Sequence, residues 1–335
     1  LNQFEISNYQ RISSNDRRKI IQDLIHNSRL KDLIGNPVDS QSISSFRAAS
    51  SVGYDGKIQV GNNQTAYISN NIQAVKKHGM YRIHEKFQNS PTLKVAVLNG
   101  VSNQCNSDEF LESLRKELGS FGFQMQISSH VDCNANKYAE IEKSIETLVE
   151  TSPDIVLSIL PNKYVTEDEG LGGPYQNSKR LTINRGIMNQ AVSIRTVNNP
   201  KFKLANLTVQ MLAKVGNTPW VLPTDMGFCD RILGADVSRE AKSNQRGTRN
   251  ELGIPRWYSS NGDFLQYILP KSAIEGERIP MNVIREITPR ESFGNKRILF
   301  HGDGKRSPKE VNDFLLRGEE LGGEVMVVEV IKKSP

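Results

Sequence analysis

From Gly170 to Pro223 the sequence contains no aspartate or glutamate, although the whole chain of 335 residues carries 37 acidic and 43 basic side chains. We call residues 170–223 the acid-free stretch. Its cations are Lys179, Arg180, Arg185, Arg195, Lys201, Lys203 and Lys214. A concentration of positive charge without internal neutralisation favours a polyanionic partner.

Cysteine is also scarce. The three cysteines are widely spaced, and neither a CxxC motif nor a His/Cys cluster occurs, which argues against a disulfide framework and against a zinc site. A reducing, cytoplasmic compartment is therefore expected. No apolar run approaches the 18 residues needed to span a bilayer, and no signal peptide is recognisable, so no membrane association is expected.

The first part of the chain, residues 1–91, is polar and irregular. Apolar residues spaced three and four apart within residues 15–35 predict an amphipathic helix or helix pair. The alternating segment GKIQVGNNQTAYI (56–68) predicts a hairpin. We expect a connecting segment that packs on other parts of the protein. Because the chain begins with Leu1 and stops at Pro335 after the apolar run EVMVVEVI, we also expect the natural protein to extend further at both ends.

A strand–helix rhythm begins at residue 92. Three short apolar runs predict strands, namely LKVAVLNG (93–100), FQMQISSHV (123–131) and PDIVLSILP (153–161). Between them lie two segments with helical spacing, SDEFLESLRKELGSFG, with Ser107 as the expected cap, and YAEIEKSIETLVE. Alternation of this kind predicts an α/β fold with a parallel, doubly wound, Rossmann-like sheet, whose ligands bind at the carboxyl ends of the strands.

Within the acid-free stretch the pattern predicts a helix over about 177–190, a strand in QAVSIRTV and a second helix in LANLTVQMLAKVG. Tyr175 is expected just before the first helix, where free backbone N–H groups favour an anion. Lys179 and Gln190 are eleven residues apart and would share a face of that helix, and Lys214 would lie in the last turn of the second. A phenol, an amide and two ammonium groups are the donors that a terminal phosphate needs. A solvated basic helix face is the simpler interpretation, but the missing acids and the helix start favour phosphate.

A second rhythm of strands follows in RILGADVSR (231–239), DFLQYILP (263–270) and KRILFHGDGK (296–305), with a polar basic loop after the first. Asp236 and Asp303 end two of these strands. Either aspartate alone is common in a turn, but two at neighbouring strand ends can converge on Mg²⁺, which prefers oxygen ligands. Two such ions can assist cleavage of a phosphodiester. Glu310, in the capping-box pattern SPKE, is interpreted as a helix cap and not as a catalytic acid.

At this point the sequence resembles a prokaryotic Argonaute. The series Tyr175-x3-Lys179, Gln190 and Lys214 is similar in order and spacing to the family's pocket for the 5′-phosphate of a guide strand. Further similar segments are HGMYRIHEKF (78–87), VGNTPW (215–220), ILGADVSR and FHGDGKRSPKEV, although Asn217 replaces a family glycine. The resemblance implies the end of the second linker over 1–91, a MID domain over 92–222, and an RNase H-like PIWI domain over 223–335 that is truncated at its C-terminus.

The resemblance also implies a function and its residues. A 5′-phosphorylated guide DNA or RNA would be held by Tyr175, Lys179, Gln190 and Lys214, and its backbone by Arg180, Arg185, Arg195 and Lys203. Asp236 and Asp303 would bind Mg²⁺ or Mn²⁺, and Glu277, or alternatively Glu275, would complete a catalytic set that cleaves a complementary DNA or RNA target. The family's fourth ligand, an Asp or His, would lie beyond Pro335. A monomer is expected.

Two alternatives stay open. In the first, the same pocket holds a guide without cleavage, and the protein acts through partners; the presence of Asp236 and Asp303 favours the nuclease. In the second, the chain is a Rossmann-type enzyme that binds a small phosphorylated metabolite. The second alternative is disfavoured, because LNGVSNQ after the first strand is not a GxGxxG motif, and because such an enzyme has no RNase H-like second half.

Overall fold

Short apolar segments separated by amphipathic ones form two main sheets. The computed structural model describes residues 19, 55–101, 104–161, 173–235, 237–241, 248–252, 254–268, 270, 278–303 and 306–330. The strands are β1 (Lys57–Gln59), β2 (Thr65–Tyr67), β3 (Thr92–Asn99), β4 (Gln124–Asp132), β5 (Ile155–Leu160), β6 (Met188–Ser193), β7 (Arg231–Ala235), β8 (Val237–Ala241), β9 (Thr248–Leu252), β10 (Arg256–Ser259), β11 (Phe264–Tyr267), β12 (Arg297–Asp303) and β13 (Glu324–Val330). The helices are α1 (Asn71–His78), α2 (Glu85–Gln88), α3 (Ser107–Ser120), α4 (Tyr138–Val149), α5 (Pro174–Ile183), α6 (Ile194–Asn198), α7 (Leu204–Lys214), α8 (Met281–Ile287), α9 (Arg290–Phe293) and α10 (Pro308–Glu320).

The first main sheet is parallel throughout, in the order β4-β3-β5-β6. Successive side chains of a strand point to opposite faces. In β3, Val95 and Val97 therefore join one core with α3 and α7, while Ala96 and Leu98 join the other core with α4 and α5. The predicted doubly wound parallel sheet is confirmed. The expected cap Ser107 is wrong by one residue, because the side chain of Asn106 accepts the hydrogen bond from the Glu109 N–H.

Residues 56–90 pack against the core of the first sheet. The predicted hairpin is confirmed as the antiparallel pair β1–β2. Ile58, Val60 and Phe87 are buried in the same core as α3 and α7, as expected for a segment that packs on other parts. The amphipathic helix predicted within 15–35 falls outside the described residues, apart from Lys19.

The second main sheet has the order β11-β10-β7-β12-β13. Strands β7, β12 and β13 are parallel, whereas β10 pairs antiparallel with β7 and β11. The polar basic loop predicted after β7 is wrong in part, because it contains the antiparallel pair β8–β9 and the strand β10. The sequences VSREA and TRNEL contain few apolar residues, so the periodicity on which the prediction relied is weak there.

The start of α10 tests the capping prediction. Ser307 is the N-cap, and its hydroxyl accepts the hydrogen bond from the Glu310 N–H at 3.2 Å. The cap role predicted for the Glu310 side chain is wrong, since its carboxylate instead accepts a hydrogen bond from the buried Arg306 at 2.9 Å. The buried guanidinium is a stronger partner than a backbone N–H that water can reach.

Among the described residues, no helix is both long enough and apolar enough to cross a bilayer.

Candidate nucleic-acid interface

Helix α5 carries the first two predicted phosphate ligands. Pro174 occupies its first turn, and the Gln176 side chain accepts the hydrogen bond of the Gly173 N–H at 3.0 Å. Tyr175 is therefore the second residue of the helix. The prediction that it precedes the helix is wrong. Lys179 follows one turn later, and its Nζ lies 5.6 Å from the centre of the Tyr175 ring. Both side chains are exposed, and their separation is that of a cation–π pair.

Gln190 lies on a strand, so the prediction that it shares a helix face with Lys179 is wrong. The helix ends because Gly186 adopts φ +72° and the Ile187 N–H bonds back to the Thr182 carbonyl at 3.0 Å. This is a glycine-terminated Schellman ending. The chain then enters β6, whose third residue is Gln190. Its amide donates to the Ala191 carbonyl at 3.0 Å, and its buried Oε1 has no hydrogen-bond partner in the structure.

Lys214 meets the same strand from the other side. It is the last residue of α7, as predicted, and its ammonium group donates to the carbonyl of Asn189 at 2.7 Å. That carbonyl belongs to the residue before Gln190, in the first half of β6. The contact therefore lies towards the amino end of this strand, whereas the sequence had predicted the carboxyl end.

The electrostatics of Lys214 identify its neighbours. Partial burial lowers the pKa of Lys214 most, and the positive charges of Lys179 and Arg256 lower it further. Lys179 and Arg256 therefore both lie within electrostatic range of Lys214. Within the described part of the chain, no carboxylate forms an ion pair with any of them. We call Tyr175, Lys179, Gln190 and Lys214 the pocket residues; Arg256, at the start of β10, is a neighbour that sequence reasoning had seen only as part of a basic loop.

The four cations predicted for the nucleic-acid backbone have different surroundings. Arg185 forms an ion pair with Glu146 of α4 at 3.0 Å and donates to the Leu181 carbonyl. Arg180 lies over the ring of Tyr138, 5.6 Å from its centre. The other two, Arg195 in α6 and Lys203 before α7, lie near the far end of α7 from Lys214, and the Lys203 ammonium donates to the Thr196 hydroxyl. Helix α7 spans eleven residues, about 16 Å.

The predicted catalytic acids are only partly visible. Asp236, Glu275 and Glu277 lie outside the described residues, and of Asp303 only the backbone, at the end of β12, is described. Ala235 and Gly302 pair directly across β7 and β12. Each of these residues immediately precedes one of the two candidate aspartates. Among the described side chains, no group of three or more His, Cys, Asp or Glu residues could hold a metal ion.

Comparison with known proteins supports the resemblance to Argonautes. No protein-family model matches the chain. The protein argonaute of Aquifex aeolicus strain VF5 is 27% identical over 239 residues, which cover 68% of this chain and 33% of that protein. The chain thus spans about a third of the length of the curated relative that it matches.

Solved structures share the fold. The crystal structure of Aa-Ago with externally bound siRNA matches with a TM-score of 0.60 and 22% identity, over 84% of this chain and 40% of that one. Drosophila Piwi matches with 0.59 and 17% identity, over 83% and 39% of the two chains. The Argonaute of Methanocaldococcus jannaschii in complex with guide DNA matches with 0.55 and 17% identity, over 84% and 41%. The sequence match shows that this chain is similar to a prokaryotic Argonaute, and the shared fold confirms the predicted architecture, a Rossmann-like MID fold followed by part of an RNase H-like PIWI fold.

Proposed function

We propose that the chain holds the 5′-phosphate of a short guide strand between α5, β6 and the end of α7. The observation that carries this proposal is the position of Lys214, whose ammonium group is anchored on the Asn189 carbonyl in the field of Lys179 and Arg256. Like charges held together without a carboxylate are destabilising unless an anion joins them. Two of the similar structures are those of Argonautes described with siRNA and with guide DNA, which agrees with a nucleic-acid ligand.

Each pocket residue has a distinct part. Lys179 and Lys214 donate charge-assisted hydrogen bonds to phosphate oxygens, the strong class of hydrogen bond. The amide of Gln190 orients the phosphate between them, and the exposed ring of Tyr175 offers its hydroxyl to the phosphate and its face to the first base. None of these contacts reads the sequence of the guide, which would instead be read by base pairing with the target.

The pocket is tested by substituting one lysine. For Lys179→Ala we expect a loss of about 1.5–3 kcal/mol in binding of a 5′-phosphorylated oligonucleotide, since one charge-assisted hydrogen bond disappears. That loss corresponds to roughly a 10- to 150-fold increase in Kd. Lys116→Ala is the control, because Lys116 is an exposed lysine on α3, outside the acid-free stretch. Equal losses in the two variants, measured by fluorescence anisotropy, would remove Lys179 from the pocket.

Further contacts are proposed along the guide. Arg180, Arg195 and Lys203 would bind backbone phosphates, and Arg185 would do so only by giving up Glu146. DNA and RNA are both compatible with these contacts, which are made to phosphates and not to the 2′-hydroxyl.

We also propose that the full-length protein cleaves a complementary target at Asp236 and Asp303, with Glu277, or alternatively Glu275, as a third acid. The pairing of Ala235 with Gly302 supports two carboxylates at neighbouring strand ends. Oxygen ligands of this kind fit Mg²⁺ or Mn²⁺. When bound, the ion supplies Lewis-acid stabilisation of the charge that develops at the phosphodiester.

Cleavage separates this proposal from its alternative, an inactive guide-binding protein. The full-length protein, loaded with guide and supplied with Mn²⁺, should cut the target, and Asp236→Ala should abolish cutting while guide binding is retained. Cutting that survives in Asp236→Ala would exclude that residue. No cutting by the unsubstituted protein, together with tight guide binding, would favour the inactive alternative.

A further inference from the structure

Arg306 is a buried arginine that the proposed function does not use. Its side chain is 5% exposed, and it lies in the segment DGKRSPKE, just before α10. Its guanidinium donates to the Glu310 carboxylate at 2.9 Å and to the carbonyl of Ala235 at 3.0 Å. Its own backbone N–H donates to the carboxylate of Glu329 on β13 at 2.7 Å. A planar guanidinium can serve several acceptors at once, which an ammonium group cannot do with the same geometry.

The space for this guanidinium is left by a glycine. A Cβ placed on Gly302 would lie 2.8 Å from Nε and 3.1 Å from Nη2 of Arg306. The guanidinium also lies over the ring of Phe300, 5.5 Å from its centre. Arg306 therefore packs directly on the end of β12, against Gly302, the residue that precedes Asp303.

Glu310 extends the same contact to a third segment. It is 2% exposed, and besides Arg306 it accepts a hydrogen bond from the backbone N–H of Ile279. The adjacent Arg278 forms an ion pair with Asp313, one turn further along α10. Burial raises the pKa of Glu310, and the charge of Arg306 opposes that rise.

The Arg306–Glu310 pair thus joins three segments through Ala235, Gly302 and Ile279. Ala235 directly precedes Asp236, Gly302 directly precedes Asp303, and Ile279 follows Glu277 by two residues. We infer that Arg306, held by Glu310, is a positioning residue that fixes the three chain segments carrying the candidate metal-binding acids. This inference rests on the proposed metal-dependent cleavage.

A purely structural ion pair is the competing explanation, and it makes a different prediction. Replacing a buried ion pair by apolar side chains of similar size is often neutral or stabilising for the fold. Such a replacement would nevertheless remove the donor to the Ala235 carbonyl and the acceptor for the Ile279 N–H. A variant with both side chains replaced should therefore keep its stability but bind the metal more weakly.

The experiment uses the full-length protein with Arg306→Met and Glu310→Leu combined. Thermal unfolding should stay close to that of the unsubstituted protein, and Kd for a 5′-phosphorylated guide should not change. The Kd for Mn²⁺, measured by electron paramagnetic resonance, should rise ~10- to 100-fold, as is typical when a residue that orients metal ligands is lost. As a control, Arg285→Met with Glu320→Leu removes an exposed ion pair that also links α8 to α10, and should leave Mn²⁺ affinity unchanged.

A second variant decides the question if the double variant fails to fold. Arg306→Lys keeps a charge for Glu310 but cannot also reach Ala235 in the same geometry, so it should fold and still bind Mn²⁺ more weakly. Unchanged Mn²⁺ affinity in the folded variants would overturn the positioning role and leave the proposed cleavage intact. If the unsubstituted protein bound no Mn²⁺, the proposed metal-dependent cleavage would itself fail, and the positioning role with it.

Discussion

At the scale of single residues, Lys214 is the pocket residue whose charge is most affected by its surroundings. Its ammonium group is partly withdrawn from water, is held by a single carbonyl, and is close to two other cations. Burial disfavours the charged form most and the two neighbouring cations disfavour it further, so the pKa of Lys214 is lowered. A bound phosphate would reverse the balance, because an anion next to an ammonium group raises its pKa. Binding and protonation of Lys214 should therefore be linked.

This linkage predicts a pH dependence. Because the pKa of Lys214 is lowered in the free protein, affinity for a 5′-phosphorylated oligonucleotide should be full below that lowered pKa. It should fall as the pH rises through it, earlier than for an ordinary lysine. In Lys214→Arg the decline should be shallower, since arginine stays charged throughout this range. Anisotropy titrations between neutral and alkaline pH measure the difference, and coincident profiles for the two proteins would refute it.

The identity of the pocket residues could be predicted from the sequence, but the elements on which they lie could be predicted only in part. Lys179 and Lys214 lie on helices as their spacing indicated, but Tyr175 lies within the helix that it was predicted to precede, and Gln190 lies on a strand. The sequence Asn184-Arg185-Gly186 already indicated that helix α5 ends before Gln190, because a glycine after a helix commonly adopts a positive φ. Arg256 and Arg306 carried no such signal. Their neighbours come from distant parts of the sequence, so only the folded chain brings them together.

At the scale of elements, an ion pair joins the starts of the parallel strands β7 and β12 and so fixes how they are aligned. These are the two strands that lead towards the candidate acids. The Asp230 carboxylate, just before β7, accepts hydrogen bonds from the Arg297 N–H at 2.8 Å and from its guanidinium at 2.9 Å. Arg297 is the first residue of β12. Since side chains alternate along a strand, a slip of one residue would turn Ala235 and Gly302 to the wrong faces.

This contact predicts a specific loss of stability in acid. The hydrogen bonds from Arg297 lower the pKa of Asp230 from 3.8 to about 2. A lowered carboxyl pKa contributes stability that is present above the unfolded-state value and is lost as the pH falls towards the folded-state value. The gap in Tm between the unsubstituted protein and Asp230→Asn should therefore be constant near neutrality and shrink between about pH 4 and pH 2. A gap that does not depend on pH would contradict this account.

Elements with strong apolar patterns were the predictable ones. Strands β3 and β5 are buried on both faces and read as continuous apolar runs, and α3 and α4 show clear apolar faces. The pair β8–β9 was not predicted, because its sequences are mostly polar. Backbone hydrogen bonding between strands does not require an apolar face, so such a hairpin leaves little trace in composition.

At the scale of the whole molecule, residues 56–90 connect the two main sheets. Their apolar side chains enter the core of the first sheet. Arg82 donates to both carboxylate oxygens of Asp263, beside the second sheet, at 2.5 and 2.7 Å, and also to the Thr218 hydroxyl. A bidentate arginine–carboxylate pair is among the stronger polar contacts in proteins.

Removal of this contact should lower the stability of the folded protein. For Arg82→Ala we expect a loss of about 1–3 kcal/mol in the free energy of unfolding, because the Asp263 carboxylate, 14% exposed, loses a charged partner. Urea unfolding measures the loss. Arg115→Ala, which removes an exposed pair within α3, should cost much less. A loss in Arg82→Ala no larger than in this control would mean that Asp263 needs no partner.

The division into linker, MID and PIWI regions at residues 91 and 222 was predicted from the resemblance and stays a prediction. The two sheets do lie on either side of residue 222, with β6 before it and β7 after it. The parallel first sheet followed from local patterns, whereas the mixed second sheet could not be derived fully. In its strand order, β7 has β10 and then β11 on one side, and β12 on the other side. No local sequence feature specifies this order.

The central claim is that this chain recognises the terminal phosphate of a guide strand. The most direct measurement compares the Kd values of one oligonucleotide with a 5′-phosphate and with a 5′-hydroxyl, for the unsubstituted protein and for Lys214→Ala. We expect the phosphate to tighten binding at least tenfold in the unsubstituted protein, and most of that advantage to disappear in the variant. Equal affinities for the two oligonucleotides in the unsubstituted protein would contradict the claim.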